Sequence, residues 1–424
     1  MIRFLVKGLL RDPNRSVFPV LIVGAGVMIT VLFYCWVLGV REDITRTSAV
    51  LDTGHVKITT KAYGEIPGQM PNDLALSGIG RLVPELFRDC PEMDWVPRIK
   101  FGGLLDFPDD KGETRVQGPV LGMAVDLLTP GSTEVRRLNL AGAIVRGRLP
   151  EKPGEILVSE EFAEKLGVDL YETATLISAT ATGGMAVQNF ILAGTVRFGI
   201  GVMDKGTLIA DITDIQYALD MADSASEILG FFPDMNFDEV RALGEKTRFN
   251  AVYENIRDEF SPVMTTLKDQ SGPGEYLDWV DRWIFIFIFV FILVMSIVLW
   301  NTGLMSGIRR YGEIGVRLAI GESKGHVYQA LIGEALATGM AGSILGTFLG
   351  LGFSYYLQEV GIDISGMLQS AAILFPNILK AKIGSGAFYI GFIPGLGATV
   401  LGSLVSGISI FSRETSQLFK ELET

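Results

Sequence analysis

Residues 283–305 read WIFIFIFVFILVMSIVLWNTGLM, with no charged side chain throughout. An α-helix rises about 1.5 Å per residue, and the hydrocarbon core of a bilayer is about 30 Å thick. A stretch of this length and composition therefore spans a membrane as one helix. Three other stretches meet the same criterion: residues 17–40, 327–357 and 387–411. The predicted fold class is an α-helical integral membrane protein with four transmembrane helices. It also carries one large α+β extracytoplasmic domain, residues 41–282.

The first apolar run is too long for the core of a secretory signal peptide. It is followed by Arg41, Glu42 and Asp43 rather than by a small-residue cleavage site, so it is expected to remain as an anchor. Orientation follows from basic residues in short flanks. Arg3, Lys7, Arg11 and Arg15 precede the first span, and Arg309, Arg310, Arg317 and Lys324 lie between the second and third. Both segments are expected in the cytoplasm, as is the tail 412–424 with Arg413 and Lys420. Residues 41–282 and 358–386 then lie outside, and Lys380 and Lys382 in the latter depart mildly from the rule. In segment 1–16 the four basic residues recur every fourth position. They would form a stripe against anionic headgroups, or serve only to set topology; the two readings are compatible.

Composition excludes several classes. Net charge is −12, and segment 41–282 holds 24 Lys+Arg against 39 Asp+Glu, so nucleic acid is not an expected partner. The fold does not depend on a bridge between Cys35, in an apolar run, and Cys90, in a polar one. His55 and His326 are too few and too far apart for a zinc or hydrolytic centre. No GxxxxGK[ST] stretch occurs, so the chain lacks a phosphate-binding loop of that kind.

The spans have distinct faces. Thr338, Gly342, Gly346, Gly350 and Ser354 recur every four residues in the third span, a small-residue stripe that lets another helix approach closely. Glu334 extends that stripe toward the cytoplasm, where pairing with Arg310 or Arg317 would offset its cost. Phe285, Phe287, Phe289 and Phe291 give the second span a bulky surface, for contact with lipid or as a wall for acyl chains. Gly272, Pro273 and Gly274 read as a hinge, or as an ordinary loop, before that span. In the external segment, residues 154–158, 173–178, 190–196 and 206–211 read as extended. Residues 160–166 and 212–222 read as helical.

Residues 308–326 read IRRYGEIGVRLAIGESKGH. The segment resembles the cytoplasmic loop of the MacB/FtsX-type ABC transporter permeases, whose pattern is Arg-x-x-Glu-Ile-Gly-x-x-Arg-Ala-Ile-Gly, followed by a span opening with Glu. Arg310, Glu313, Ile314, Gly315, Ile320, Gly321 and Glu334 match. Leu318 and Ala319 stand between Arg317 and Ile320, a departure of one step. The order of one span, a large domain and three spans is similar too, as are the stretches 154–176 and 190–219. GHVKI at 54–58, GIGVMD at 199–204 and GIDISG at 361–366 lean toward the lipoprotein-releasing LolC/LolE subset. The tail SRETSQLFKELET departs from the Pro-Ala-Arg-rich end of many relatives.

The resemblance implies a bacterial inner-membrane permease with no catalytic residues and no cofactor of its own. ATP and Mg would sit on two copies of a partner ATPase docked at 306–326, with Arg310, Glu313, Gly315, Arg317 and Gly321 as coupling residues. A second permease chain, the same or a sibling, would complete the unit. A lipoprotein would be its substrate and a periplasmic carrier its recipient. The external domain would comprise two subdomains, with a middle insertion at about 116–189. A MacB-like exporter of peptides or toxins, and an FtsX-like regulator of a cell-wall hydrolase, are the alternatives.

Overall fold

The computed structural model describes residues 13–253, 258–270, 273–308, 311–363 and 378–412. The chain divides into two compact units. One contains the apolar helices, and the other consists mainly of residues 43–279.

In the second unit the strands run β1 Val56–Thr60, β2 Leu76–Ser77, β3 Asp94–Pro108, β4 Thr114–Val125, β5 Ile144–Gly147 and β6 Glu155–Ser159. They continue as β7 Thr173–Ala179, β8 Met185–Val196, β9 Thr207–Asp211, β10 Ser224–Ala225, β11 Glu227–Phe231 and β12 Pro262–Thr266. Six of them close a ring. β3 pairs with β4, β4 with β9, β9 with β6, β6 with β8, β8 with β7, and β7 returns to β3. Closure gives each of these strands a neighbour on both sides, although residues 114–120 of β4 and 185–190 of β8 are paired along one edge only.

The fifteen-residue β3 is the common member of two sheets. Its residues Asp94–Arg98 pair with β11, which leads on to β1 and β12, while Ile99–Pro108 pair with β4. One continuous strand therefore serves both the ring and the sheet of β11, β1 and β12. Alternation along the strands sends Phe101, Leu105, Val120, Ile156, Leu176 and Phe190 into one apolar cluster. Short helices follow β6 and β9, at Glu160–Leu166 and Ile212–Ala218. Asp211 caps the second of these by accepting from the Thr213 N–H at 2.9 Å.

Among the described residues, the other unit is built on four helical stretches long and apolar enough to cross a membrane. The first runs Pro13–Ser48, eight residues past the end of the expected span. The second is Pro273–Ile308 and the third Lys324–Val360. Pro273 and Gly274 thus open the second helix instead of forming a hinge, since proline suits the first turn, where its missing N–H has no partner to lose. Gly272 lies outside the described residues. The fourth span is interrupted. A 3-10 turn at Ser385–Phe388 and a π-turn at Ile393–Ala398 precede the α-helix Thr399–Ser412. Pro394, Gly395 and Gly397 lie in the π-turn, where a missing N–H and missing side chains disfavour a regular helix.

The small-residue stripe of the third helix meets the first. A Cβ on Gly346 would stand 2.4 Å from the Gly24 carbonyl oxygen, and one on Gly342 or Gly350 would strike Val23 or Val31. Ser354 and Thr338 are buried along the same helix. Beside it, the fourth span packs against the third through Gly395, whose Cβ would meet Ser343 Oγ at 2.4 Å.

Candidate functional site

Between the second and third long helices lies a nine-residue helix, Tyr311–Ala319. Its buried side is Ile314, which packs with Val327, Leu331 and Leu318. Gly315 is buried beside it. The helix ends in a cap that needs Gly321, whose φ is +101°. There the Glu322 N–H donates to the Arg317 carbonyl at 3.1 Å and the Gly321 N–H to the Leu318 carbonyl at 3.1 Å. These crossed bonds satisfy carbonyls that the helix end leaves free. Ser323 then caps the third helix.

Arg317 and Glu322 close this corner as a bidentate pair, at 2.6 and 2.8 Å. The hydrogen bonds from Arg317 hold the Glu322 carboxyl below its usual range. The expected partner of Glu334, Arg317, is thus engaged with Glu322. Arg310 lies outside the described residues, as does the Glu313 side chain, although Glu313 belongs to the short helix. Arg317, Gly315 and Gly321 are gathered at one corner. Glu334 is half-buried in the third helix, ten residues beyond its start. Two apolar side chains face outward from the corner: Val316 is 43% exposed and Ile320 81%. Sequence reading did not single out Val316, because an apolar residue between Gly315 and Arg317 reads as buried filler.

The four phenylalanines do not share a face. Phe285, Phe287 and Phe289 are exposed, but Phe291 stacks on Phe33 of the first helix with ring centroids 4.2 Å apart. Residues two apart on a helix point about 200° away from each other, so a wall of alternate phenylalanines is not one surface.

Residues 43–279 contain a second constellation, of buried charges, that sequence reading missed. Arg98 is fully buried; its Nε meets Glu134 Oε2 at 2.6 Å, and its Nη1 donates to the Val50 carbonyl at 2.8 Å. Arg137 pairs with both Glu134 and Asp94, with its guanidinium 4.1 Å over the Phe231 ring. Next to them Glu227 receives Lys57 and Lys100, each at 2.9 Å, and Asp52 pairs with Lys100. Burial pushes the Lys100 ammonium down, but Asp52 and Glu227 outweigh it and hold it above its ordinary value. These groups come from the turn after the first helix, from β1, β3, β11 and the helix Glu134–Arg137. No local spacing announces them.

His55 is also structural. It is buried, accepts the Phe232 N–H at Nδ1 at 2.9 Å, and stacks on Phe232. Burial lowers its pKa to about 4, so it is neutral near pH 7.

Residues 285–415 match the family described as FtsX-like permease C-terminal. No curated protein matches the chain. Among solved structures it is similar to the crystal structure of the periplasmic region of MacB from Actinobacillus actinomycetemcomitans. That likeness has 9% identity and a TM-score of 0.35, over 55% of this chain and 97% of that one.

Proposed function

We propose that the chain is the permease subunit of an ABC transporter of the MacB/FtsX type, working with a separate ATPase to release lipoproteins from the inner membrane. The carrying observation is the corner at residues 311–323. A short capped helix between two membrane-length helices presents Val316 and Ile320 outward and is braced by the Arg317–Glu322 pair. It lies within the stretch that matches the permease family. A tether would need neither a Schellman cap nor an exposed apolar pair; a docking element for a soluble partner uses both.

In this reading ATP is bound and hydrolysed on two ATPase copies. Their closure pushes on the short helix, and the long helices shift together because their glycine contacts leave no slack. Movement reaches residues 43–279 through the chain connections at either end. A lipidated substrate held between two permease chains then passes to a soluble carrier. The exposed Phe285, Phe287 and Phe289 supply apolar surface for acyl chains or lipid. The phrases at 54–58, 199–204 and 361–366 support lipoprotein release over the other activities of such permeases.

The test is recovery of the chain from native membranes in mild detergent, with mass spectrometry of what is retained. An ATPase together with lipidated proteins is the expected outcome. An ATPase with a cell-wall hydrolase, or with a periplasmic adaptor and duct, would replace lipoprotein release by regulation or export. Absence of any ATPase would overturn the permease reading.

A further inference from the structure

A cavity of about 490 Å³ opens within residues 43–279, inside the size range of small-molecule sites. Its apolar wall includes Met70, Met123, Met203 and Leu121. Thioether side chains adapt to varied apolar shapes. Its polar floor is the square of Lys57, Glu227, Lys100 and Asp52, two cations alternating with two anions. Exposure separates the four. Lys57 and Glu227 are 9% and 1% exposed, whereas Lys100 and Asp52 retain 19% and 28%. A bound molecule therefore meets the Lys100–Asp52 pair. Asp269, also at the cavity, is paired with Lys246 at 3.0 Å.

The floor is electrically balanced before anything binds. An added carboxylate would sit beside Asp52 and Glu227, and an added ammonium beside Lys57 and Lys100. Either would be an uncompensated charge in a partly desolvated site, which is costly. An uncharged group with both an acceptor and a donor can bridge the exposed pair instead. We propose that this cavity binds an uncharged amide-headed amphiphile. Its carbonyl oxygen takes over the Lys100 Nζ donor that reaches the Asp52 backbone carbonyl at a long 3.4 Å, its N–H donates to the Asp52 carboxylate, and its apolar tail lies along the methionine wall. Asp52 lies in the turn Ala49–Thr53, which follows the first long helix in the chain.

The site requires no ATPase, so its failure leaves the permease reading untouched. The full chain in phosphatidylcholine nanodiscs is titrated with octanamide by calorimetry, with empty discs as the blank. Saturable one-to-one binding is expected. Gly68→Trp and Leu121→Trp are designed to fill the mouth: a Cβ on Gly68 meets no atom within 4 Å and Leu121 is half exposed, so both variants are expected to fold, which the unfolding midpoint of each checks. Each is expected to weaken binding at least tenfold. Octanoate and octylammonium are expected to bind at least tenfold more weakly than octanamide. Heats no larger than those of empty discs, or binding unchanged in both tryptophan variants, overturn the site. Octanoate or octylammonium binding as tightly as octanamide overturns the uncharged head.

Discussion

Arg317 and Glu322 face each other across the Gly321 cap, joined by two hydrogen bonds at 2.6 and 2.8 Å. The pair is partly exposed, with side-chain accessibilities of 40% and 26%, and such pairs contribute little to stability. Its proposed value lies in fixing the angle at which the short helix is presented. The double variant Glu313→Ala, Arg317→Ala is therefore expected to keep its unfolding midpoint nearly unchanged while ATPase co-purification falls at least fivefold. Normal co-purification and ATPase activity in that variant would remove the corner from the coupling role.

The third helix allows a test within one element. Gly346 touches the backbone of the first helix, whereas a Cβ on Gly352 meets nothing within 4 Å. Gly346→Ala forces two helices apart and is expected to destabilise by about 1–3 kcal/mol, the usual range for overpacking. Gly352→Ala removes a flexible residue from a helix and is expected to be neutral or mildly stabilising. Thermal unfolding of the two variants in the same detergent checks the contrast. Equal midpoints would mean that the first and third helices do not pack through this stripe.

The long helices were legible because lipid imposes one simple demand, some twenty apolar residues in a row. The stripe from Thr338 to Ser354 was legible for the same reason, since a four-residue repeat of small side chains maps directly onto one helical face. The closed ring was not legible. β4 pairs with β9 and β6 with β8 across long stretches of chain, and parallel pairing leaves no turn signature. Buried charges hid for a related reason. Arg98, Lys100, Glu134 and Glu227 look like surface residues in sequence; the register that sets Arg98 opposite Glu227 and the packing of the helix Glu134–Arg137 bring them together. At the corner of residues 311–323 the motif pointed to Arg317 and Gly321. The partner of Arg317 depended on the geometry of the cap.

His55 makes the stability of residues 43–279 depend on pH. Its pKa falls from the ordinary 6.5 to about 4 on folding, first because burial penalises the imidazolium; the nearby Asp234 carboxylate opposes this, and the Arg137 and Arg241 cations add to it. The unfolded chain therefore binds a proton that the folded chain resists. The stability this neutral histidine contributes is complete above about pH 6.5 and is lost as pH falls toward about 4. Protonation would also remove the Nδ1 acceptor from the Phe232 N–H. Wild type is expected to lose unfolding midpoint between pH 7 and pH 5, and His55→Gln to lose less than half as much. Parallel pH profiles for the two proteins would assign the acid sensitivity to another group.

Arg98 and Glu134 provide the strictest test of the buried network, because both side chains are fully enclosed. Arg98→Met leaves Glu134 short of one cation and the Val50 carbonyl without its donor. Breaking a buried pair by removing one member costs about 3–5 kcal/mol. Glu134→Gln leaves Arg98 unbalanced and deprives Arg137 of one of its two carboxylates, so it is expected to cost a similar amount. If the two residues act as one unit, the double variant avoids the lone buried charge and falls short of the sum by at least about 1 kcal/mol. Denaturant unfolding of the full chain, followed through the fluorescence of the buried Trp95 on β3, measures all three. Strict additivity would mean that Arg98 serves mainly to hold the Val50 carbonyl and that its pairing with Glu134 is incidental.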